Sequence, residues 1–176
     1  MTAAAGSGHT LGVVVEIPPP YGPALDAARA GLTPDPADMP AHVTILAPVD
    51  VDDDVLDHVI RHLADVADRT PPFRLTLRGT GTFRPVSPVV FVAVSEGASA
   101  CEQLERDVRS GDLAVDVRFP YHPHVTIAHD MEDAVLDRVI EELSGFRASM
   151  TIGSMGLHEF VDGSWRLVRE FDFRGG

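Results

Sequence analysis

The chain has 176 residues, of which 44% are hydrophobic, 23% are charged and one is a cysteine. This length and composition predict one folded domain with a substantial core, and a lone cysteine excludes both an internal disulfide and a cysteine-rich zinc site. The net charge of −13 opposes tight binding of long RNA or DNA, because an acidic surface repels the phosphate backbone.

The first half of the chain contains two predicted helices between predicted strands. Residues 1–8 are expected to be a flexible leader, and residues 9–176 a single domain built from two related lobes. The β-branched run at residues 11–17 predicts a buried strand, and a short helix follows, with Pro23 near its first turn and Gly31 at its end. Residues 33–41 predict a loop. An apolar stripe over residues 55–63 then predicts an amphipathic helix, and residues 74–83 and 88–94 predict two strands.

The second half repeats this alternation. Residues 99–109 predict a helix that includes Cys101, for which a packed core thiol is the expected role. A strand begins near His124, residues 135–143 predict another helix, and residues 149–160 and 165–173 predict a β-hairpin closed near Asp162 and Gly163. Interleaved strands and helices together with hairpins favour an α+β fold of two small antiparallel sheets with helices outside. No apolar run has the length of a membrane span, so we expect a cytoplasmic protein without a membrane partner.

A tetrapeptide occurs twice, as His42-Val43-Thr44-Ile45 and His124-Val125-Thr126-Ile127. Side chains alternate between the faces of a strand, so each copy puts one imidazole and one hydroxyl on the same face. The helical segments that follow the two copies also match at most apolar positions. The chain therefore predicts two strand-helix-strand units, each with its histidine near the end of the first strand, related by a pseudo-two-fold axis with one site on it.

Two facing imidazoles supply a general base and a general acid together. For a phosphodiester held between them, one imidazole activates water and the other protonates the departing oxygen, while the two threonine hydroxyls stabilise charge on the phosphate. Such a pair needs no metal, and it predicts a bell-shaped pH profile flanking neutrality. Three alternatives stay open: a duplicated structural histidine, a phosphate-binding module without turnover, and a metal site built from His42, His122 and His124.

The repeated motif, Pro123 before its second copy and the segment Gly81-Thr82-Phe83-Arg84-Pro85 resemble the 2H phosphoesterases, which include 2'-5' RNA ligase-like proteins and 2',3'-cyclic phosphodiesterases. The resemblance extends over residues 11–173. It implies a bilobal fold with the site in a central cleft, with His42 and His124 as acid and base and with Thr44 and Thr126 holding the phosphate. It implies no cofactor. The expected activity is hydrolysis of a cyclic phosphate on a small nucleotide or an RNA end, or 2'-5' RNA ligation, by a chain that we expect to be a monomer.

Four further residues are candidates for substrate binding. His122 shares a face with His124 if the strand begins early, although a solvent-exposed turn residue fits equally well. Tyr121 and Phe83 can stack on a base, but aromatic residues at strand ends are more often part of the core. Arg84 can reach a phosphate from its loop, or it can be a solvated surface arginine.

Overall fold

The computed structural model describes residues 8–33 and 39–176. Residues 1–7 of the expected leader and residues 34–38 of the expected loop therefore lie outside the described part, while Gly8 already belongs to the first strand. The strands and helices, in chain order, are β1 Gly8–Glu16, α1 Tyr21–Arg29, β2 His42–Asp52, α2 Leu56–Arg69, β3 Phe73–Thr82, β4 Val89–Glu96, α3 Ala98–Val108, β5 His124–His129, α4 Asp133–Glu142, β6 Arg147–Ile152, β7 Ser154–Val161 and β8 Ser164–Asp172.

The strands form two sheets of four, in the orders β2-β1-β7-β8 and β5-β4-β3-β6. Every neighbouring pair is antiparallel. Helices α2 and α3 pack against strands of the first sheet and α4 against strands of the second. The predicted α+β fold of two antiparallel sheets with helices outside is therefore confirmed.

The two strands of the first repeat, β2 and β3, lie in different sheets. The strand that follows α2, β3, pairs with β4 in the second sheet, whereas β7, which follows the second repeat, pairs with β1 in the first. β2 and β5 are outer strands of their sheets, and these two strands lie beside each other. The two copies of the repeated tetrapeptide consequently meet where the sheets adjoin.

Burial of apolar side chains explains the helices that the sequence predicts. On α2 the buried positions Val59, Leu63 and Val66 follow the helical period and face the sheet. At the start of α1 the helix and the end of β1 come so close that a Cβ on Gly22 would lie 2.0 Å from the carbonyl oxygen of Ile17. Only glycine fits at this crossing, which fixes the position of α1 against the sheet.

The predicted strand at residues 149–160 is wrong, because it is two strands that belong to different sheets. β6 pairs with β3, and β7 pairs with β1. Buried positions alternate up to Ile152 and then resume out of phase at Met155, so the chain changes sheets at the exposed Gly153. The hairpin of β7 and β8 is confirmed, with positive φ angles of 52° at Asp162 and 81° at Gly163 in its turn.

The motif histidines also lie at the opposite end of their strands from the end predicted. His42 and His124 are the first residues of β2 and β5. Pro123 directly precedes one of them and Pro40 lies two residues before the other. Because proline has no N–H to donate to a ladder, strand pairing begins only after it. Among the residues described, no helix combines the length and apolar character needed to cross a membrane.

Candidate active site

The two copies of the tetrapeptide have the same burial pattern on adjacent strands. Val43 and Ile45 of β2 are 0% and 1% exposed, and Val125 and Ile127 of β5 are both 0% exposed. The histidine and threonine of each copy alternate with these core residues, so they share the opposite face of the strand and are only partly buried. One imidazole and one hydroxyl from each sheet are thus presented next to the junction of the two sheets.

Each motif histidine is anchored to the backbone in the same way. Nδ1 of His42 lies 2.8 Å from the carbonyl oxygen of Pro40, and Nδ1 of His124 lies 2.7 Å from the carbonyl oxygen of His122. A carbonyl oxygen only accepts, so Nδ1 carries the proton and donates in both rings. Nε2 is then the nitrogen available for proton transfer in each neutral imidazole, and no described residue hydrogen-bonds to it.

A pair of charged residues on α1 holds the segment that leads into His42. Asp26 Oδ1 accepts a hydrogen bond of 2.8 Å from the amide of Ala41, and Arg29 Nη2 donates one of 2.9 Å to the carbonyl oxygen of Met39. Arg29 is buried, with 7% of its surface exposed. The sequence analysis missed this pair. A signal was available, since Arg29 falls on the same helix face as the buried Leu25.

Tyr121 connects the two motifs. Its hydroxyl donates a hydrogen bond of 2.8 Å to the carbonyl oxygen of Thr44, across the junction between β2 and the segment before β5. Burial raises the pKa of the phenol, so the hydroxyl stays protonated and can donate. By contrast, the hydroxyls of Thr44 and Thr126 have no hydrogen-bond partner within the described residues and are available to a ligand.

Burial and like charges favour the neutral form of both motif histidines. The pKa of His42 is lowered to about 4, chiefly by burial and to a smaller extent by the neighbouring charges of Arg29, His158 and His124, against the opposing effect of the bond to Pro40. The pKa of His124 is also lowered, mainly by burial and then by the charge of His122, against its own backbone bond. The effect of the His124 charge on the pKa of His42 agrees with the placement of the two imidazoles on adjacent strands.

A third histidine, His158 on β7, was not considered in the sequence analysis. It is 8% exposed and pairs in register with Gly12 of β1, and burial lowers its pKa. Its Nδ1 is buried without a hydrogen-bond partner among the described residues. His158 has no repeated counterpart in the sequence, so the motif search had no reason to select it.

Aromatic rings surround His124. The ring centroids of Phe83 and His124 are 5.0 Å apart at an interplanar angle of 85°, and Phe91 of β4 lies 5.2 Å from the same imidazole. His122, which is exposed, has its centroid 5.6 Å from that of His124. Phe83 and His122 therefore lie beside the second motif, where a substrate role for each stays a prediction.

Arg84 is held by carboxylates of α4. Its Nη1 lies 3.1 Å from Asp133 and its Nη2 lies 2.7 Å from Asp137, while Nε donates to the hydroxyl of Thr82 at 3.3 Å. These bonds tie the loop after β3 to α4. To bind a phosphate, Arg84 would have to exchange at least one of these partners.

A cavity of about 180 Å³ lies beside the first motif and includes His42 and Thr44 in its lining. A larger cavity of about 250 Å³, between α2 and β8, contains none of the motif residues and is lined largely by charged side chains. Of the two cavities, only the smaller one is lined by motif residues. Within residues 8–33 and 39–176, no three His, Cys, Asp or Glu side chains are grouped so that they could hold a metal ion.

The family model of the 2'-5' RNA ligase superfamily matches residues 17–163. The chain belongs to this superfamily of 2H phosphoesterases, which confirms the resemblance. A Bacillus cytotoxicus protein named "Putative phosphoesterase" is 27% identical over 143 residues, which cover 78% of this chain and 81% of that protein.

Two solved structures have the same fold. The Escherichia coli protein LigT, in a complex with NADP+, has a TM-score of 0.72 and 22% identity, covering 96% of this chain and 99% of LigT. The Thermus thermophilus protein TT0787 has a TM-score of 0.63 and 21% identity, covering 94% of this chain and 98% of TT0787. The two-sheet architecture of this chain is therefore that of the LigT fold.

Proposed function

We propose that the chain is a phosphoesterase that opens a 2',3'-cyclic phosphate by acid-base catalysis between His42 and His124. The observation that carries the proposal is the matched anchoring of the two imidazoles. Both donate Nδ1–H to a backbone carbonyl oxygen at 2.7–2.8 Å and keep Nε2 available, on outer strands that adjoin.

In this mechanism His42 is the base and His124 the acid. His42 has the pKa of about 4 and is the more readily deprotonated imidazole, so the proton of a singly protonated pair resides on His124. Nε2 of His42 takes a proton from water as the water oxygen forms its bond to phosphorus. The bond from phosphorus to one ribose oxygen breaks, and that oxygen receives the proton from Nε2 of His124. The product is a phosphomonoester, and the two histidines then exchange protons with solvent.

The hydroxyls of Thr44 and Thr126 donate to the non-bridging phosphate oxygens. Each threonine lies two residues after its histidine on the same face of the strand, which puts hydroxyl and imidazole on one side of the bound group. Negative charge on those oxygens grows in the transition state, so the two hydrogen bonds strengthen as the reaction proceeds. Both motifs come from one chain, so a monomer is a complete catalytic unit.

A small nucleotide is the favoured substrate. The net charge of −13 opposes a long polyphosphate, and Arg84 is already paired with two carboxylates. LigT, which has the same fold, has been solved with 3'-AMP and with ATP. Phe83 and His122, beside His124, complete the proposed substrate-binding residues, and Tyr121 acts through its bond to Thr44.

The test is hydrolysis of adenosine 2',3'-cyclic phosphate, ADP-ribose cyclic phosphate and a 2'-5'-linked dinucleotide, with EDTA present. We expect the wild type to open a cyclic phosphate and the His42→Ala and His124→Ala variants to lose about 10²- to 10⁴-fold in rate. His58→Ala is the matched control, because that side chain is 57% exposed on α2 and should leave the rate unchanged.

Three outcomes would contradict the proposal. Activity abolished by EDTA would support a metal-dependent site. Joining of RNA ends through a 2'-5' bond without cyclic phosphate hydrolysis would support a ligase. Nucleotide binding that survives both alanine substitutions, with no turnover by the folded wild type, would support a binding module.

A further inference from the structure

The cavity beside the first motif is lined by a tryptophan that has no part in the proposed chemistry. Trp165 of β8 lines this cavity together with His42 and Thr44. Trp165 is the single tryptophan of the chain and is only partly buried. Because β8 and β2 are the two outer strands of the first sheet, a side chain from the far edge of that sheet reaches the cavity of the catalytic histidine.

Gly12 allows the indole to reach this far. Gly12 is on β1, and a Cβ built on it would lie 3.4 Å from Cζ3 and 3.5 Å from Cη2 of Trp165. The six-membered ring of the indole therefore packs on the backbone of β1, in space that a longer side chain at residue 12 would occupy. Phe160 of β7, opposite Trp165 in the hairpin register, supports the indole with a ring centroid distance of 5.3 Å.

The composition of the cavity favours a flat, uncharged occupant. Apart from His42 and Thr44, the lining is apolar, and it includes no lysine or arginine: Gly12, Val14, Met39, Leu46, Pro48 and Trp165. Its volume of about 180 Å³ is below the ~300–1,000 Å³ of sites for drug-sized ligands, which limits the occupant to about one ring system. A second phosphate group would have no cationic side chain to pair with in this cavity, whereas a heterocycle could stack on the indole of Trp165.

We propose that Trp165 stacks on the nucleobase of the substrate, which is a nucleoside 2',3'-cyclic phosphate with its base on the reacting ribose. This inference rests on the proposed function and narrows it. In such a molecule the phosphate and the base are attached to the same ribose, and a single cavity is lined both by His42 and Thr44 and by Trp165. ADP-ribose cyclic phosphate has no base on its reacting ribose and leaves the indole without a stacking partner.

The single tryptophan makes binding directly observable. Titration of the wild type with 3'-AMP, one of the two possible products of the proposed reaction, should quench Trp165 fluorescence saturably, because a stacked base changes the environment of the indole. Inorganic phosphate and ribose 5-phosphate serve as base-free probes and should leave the emission unchanged. Unchanged emission at 3'-AMP concentrations that inhibit hydrolysis would overturn the inference.

Kinetics of a Trp165→Leu variant provide the second test. Loss of stacking should raise KM for adenosine 2',3'-cyclic phosphate by about 10- to 100-fold with little change in kcat. KM for the methyl riboside 2',3'-cyclic phosphate, which has no base, should stay constant, and Trp165→Phe should be intermediate. Equal effects on both substrates would overturn the stacking role, as a structural defect would lower activity on both.

The two proposals can fail separately. Wild-type protein that hydrolyses the base-free and the nucleoside substrates with the same KM keeps the proposed function and overturns the stacking. Wild-type protein that shows the quenching with 3'-AMP and hydrolyses neither substrate keeps the stacking site and overturns the phosphoesterase.

Discussion

The hydroxyl of Tyr121 donates a hydrogen bond to the carbonyl oxygen of Thr44 at 2.8 Å, and it thereby joins the segment before one motif to the strand of the other. The two residues belong to different repeats and are 77 positions apart. A shift of either strand along the junction would break this bond. It is a direct link that keeps the two repeated motifs in one relative position.

Tyr121→Phe should destabilise the protein and slow catalysis. Loss of the bond removes about 1 kcal/mol and leaves the oxygen of Thr44 without its partner, which corresponds to a Tm lower by about 2–4 °C for a chain of this length. We expect kcat to fall more than KM rises, because the phenyl ring is retained while the alignment of the motifs is loosened. Tyr21→Phe, at the other tyrosine of the chain, is the control. A normal Tm and kcat would show that the bond contributes nothing to alignment.

How far the sequence predicts this arrangement depends on the range of each interaction. Alternation and helical periodicity locate β2, β5 and the helices, because these patterns are set by near neighbours. The same alternation predicts that His42 and Thr44 share a face. The local sequence does not predict that β6, before Gly153, joins the second sheet while β7, after it, joins the first. Strand pairing depends on partners that are distant in the sequence.

The site shows the same division. A repeated tetrapeptide was enough to select His42 and His124, whereas the Asp26 and Arg29 bonds to the preceding loop connect residues 10–15 positions apart. Trp165 and Gly12 are far apart in the sequence, and they come close because β7 is the single strand between β1 and β8 in the sheet. These residues lie outside the repeated motif, and the sequence alone does not distinguish them from ordinary core or surface residues.

Replacement of the motif threonines should lower kcat. In Thr44→Val and Thr126→Val the shape is kept and the hydroxyl is lost, so each variant should be about 10- to 100-fold slower, as expected for a hydrogen bond to a charged oxygen. The Thr→Ser variants keep the hydroxyl and should keep most of the activity. Steady-state hydrolysis of adenosine 2',3'-cyclic phosphate measures both. Valine variants as active as wild type would remove the threonines from the mechanism.

The pH profile of kcat/KM should be bell-shaped, with its optimum on the acidic side of neutrality. His42 must be neutral, which requires a pH above about 4, and His124 must be protonated, which requires a pH below its lowered pKa. With the ordinary histidine pKa of 6.5, the active pH range would be centred near neutrality. Burial lowers both pKa values and thus moves this range to lower pH. A bound phosphate anion stabilises the protonated imidazole, so the alkaline limb of kcat should lie above that of kcat/KM. An optimum above pH 7.5 for kcat/KM would contradict these roles.

The stability of the folded protein should also depend on His42. Its pKa is about 4 in the folded chain, below the ordinary 6.5, so protonation favours the unfolded state. The stabilising contribution is present above pH 6.5 and is lost as the pH falls to about 4. Thermal unfolding of wild type and His42→Asn across this range isolates the effect from that of the carboxylates. The Tm of the variant should fall less steeply with pH, and parallel curves would exclude the contribution.

Arg29→Met should move the acidic limb of the kcat/KM profile to higher pH. The guanidinium of Arg29 is buried near His42 and its charge helps to lower the pKa of that imidazole, after the larger effect of burial. Removing the charge therefore raises the pKa of His42, and the base becomes protonated at a higher pH than in wild type. Arg61→Met makes the same side-chain change at an exposed position of α2 and should leave the limb where it is.

The pH of the acidic limb distinguishes the effect of the Arg29 charge from the effect of its hydrogen bond to Met39. Loss of the bond alone would lower Tm and kcat at every pH, whereas loss of the charge moves the limb. Asp26→Ala provides the complementary case, because it removes the acceptor for the amide of Ala41 and the ion-pair partner of Arg29 at 3.7 Å but keeps the positive charge of the guanidinium. Asp26→Ala should lower kcat and leave the acidic limb of the kcat/KM profile at its wild-type pH. If Arg29→Met only lowers Tm and the limb stays at its wild-type pH, Arg29 positions the loop before His42 and has no part in setting the protonation of the base.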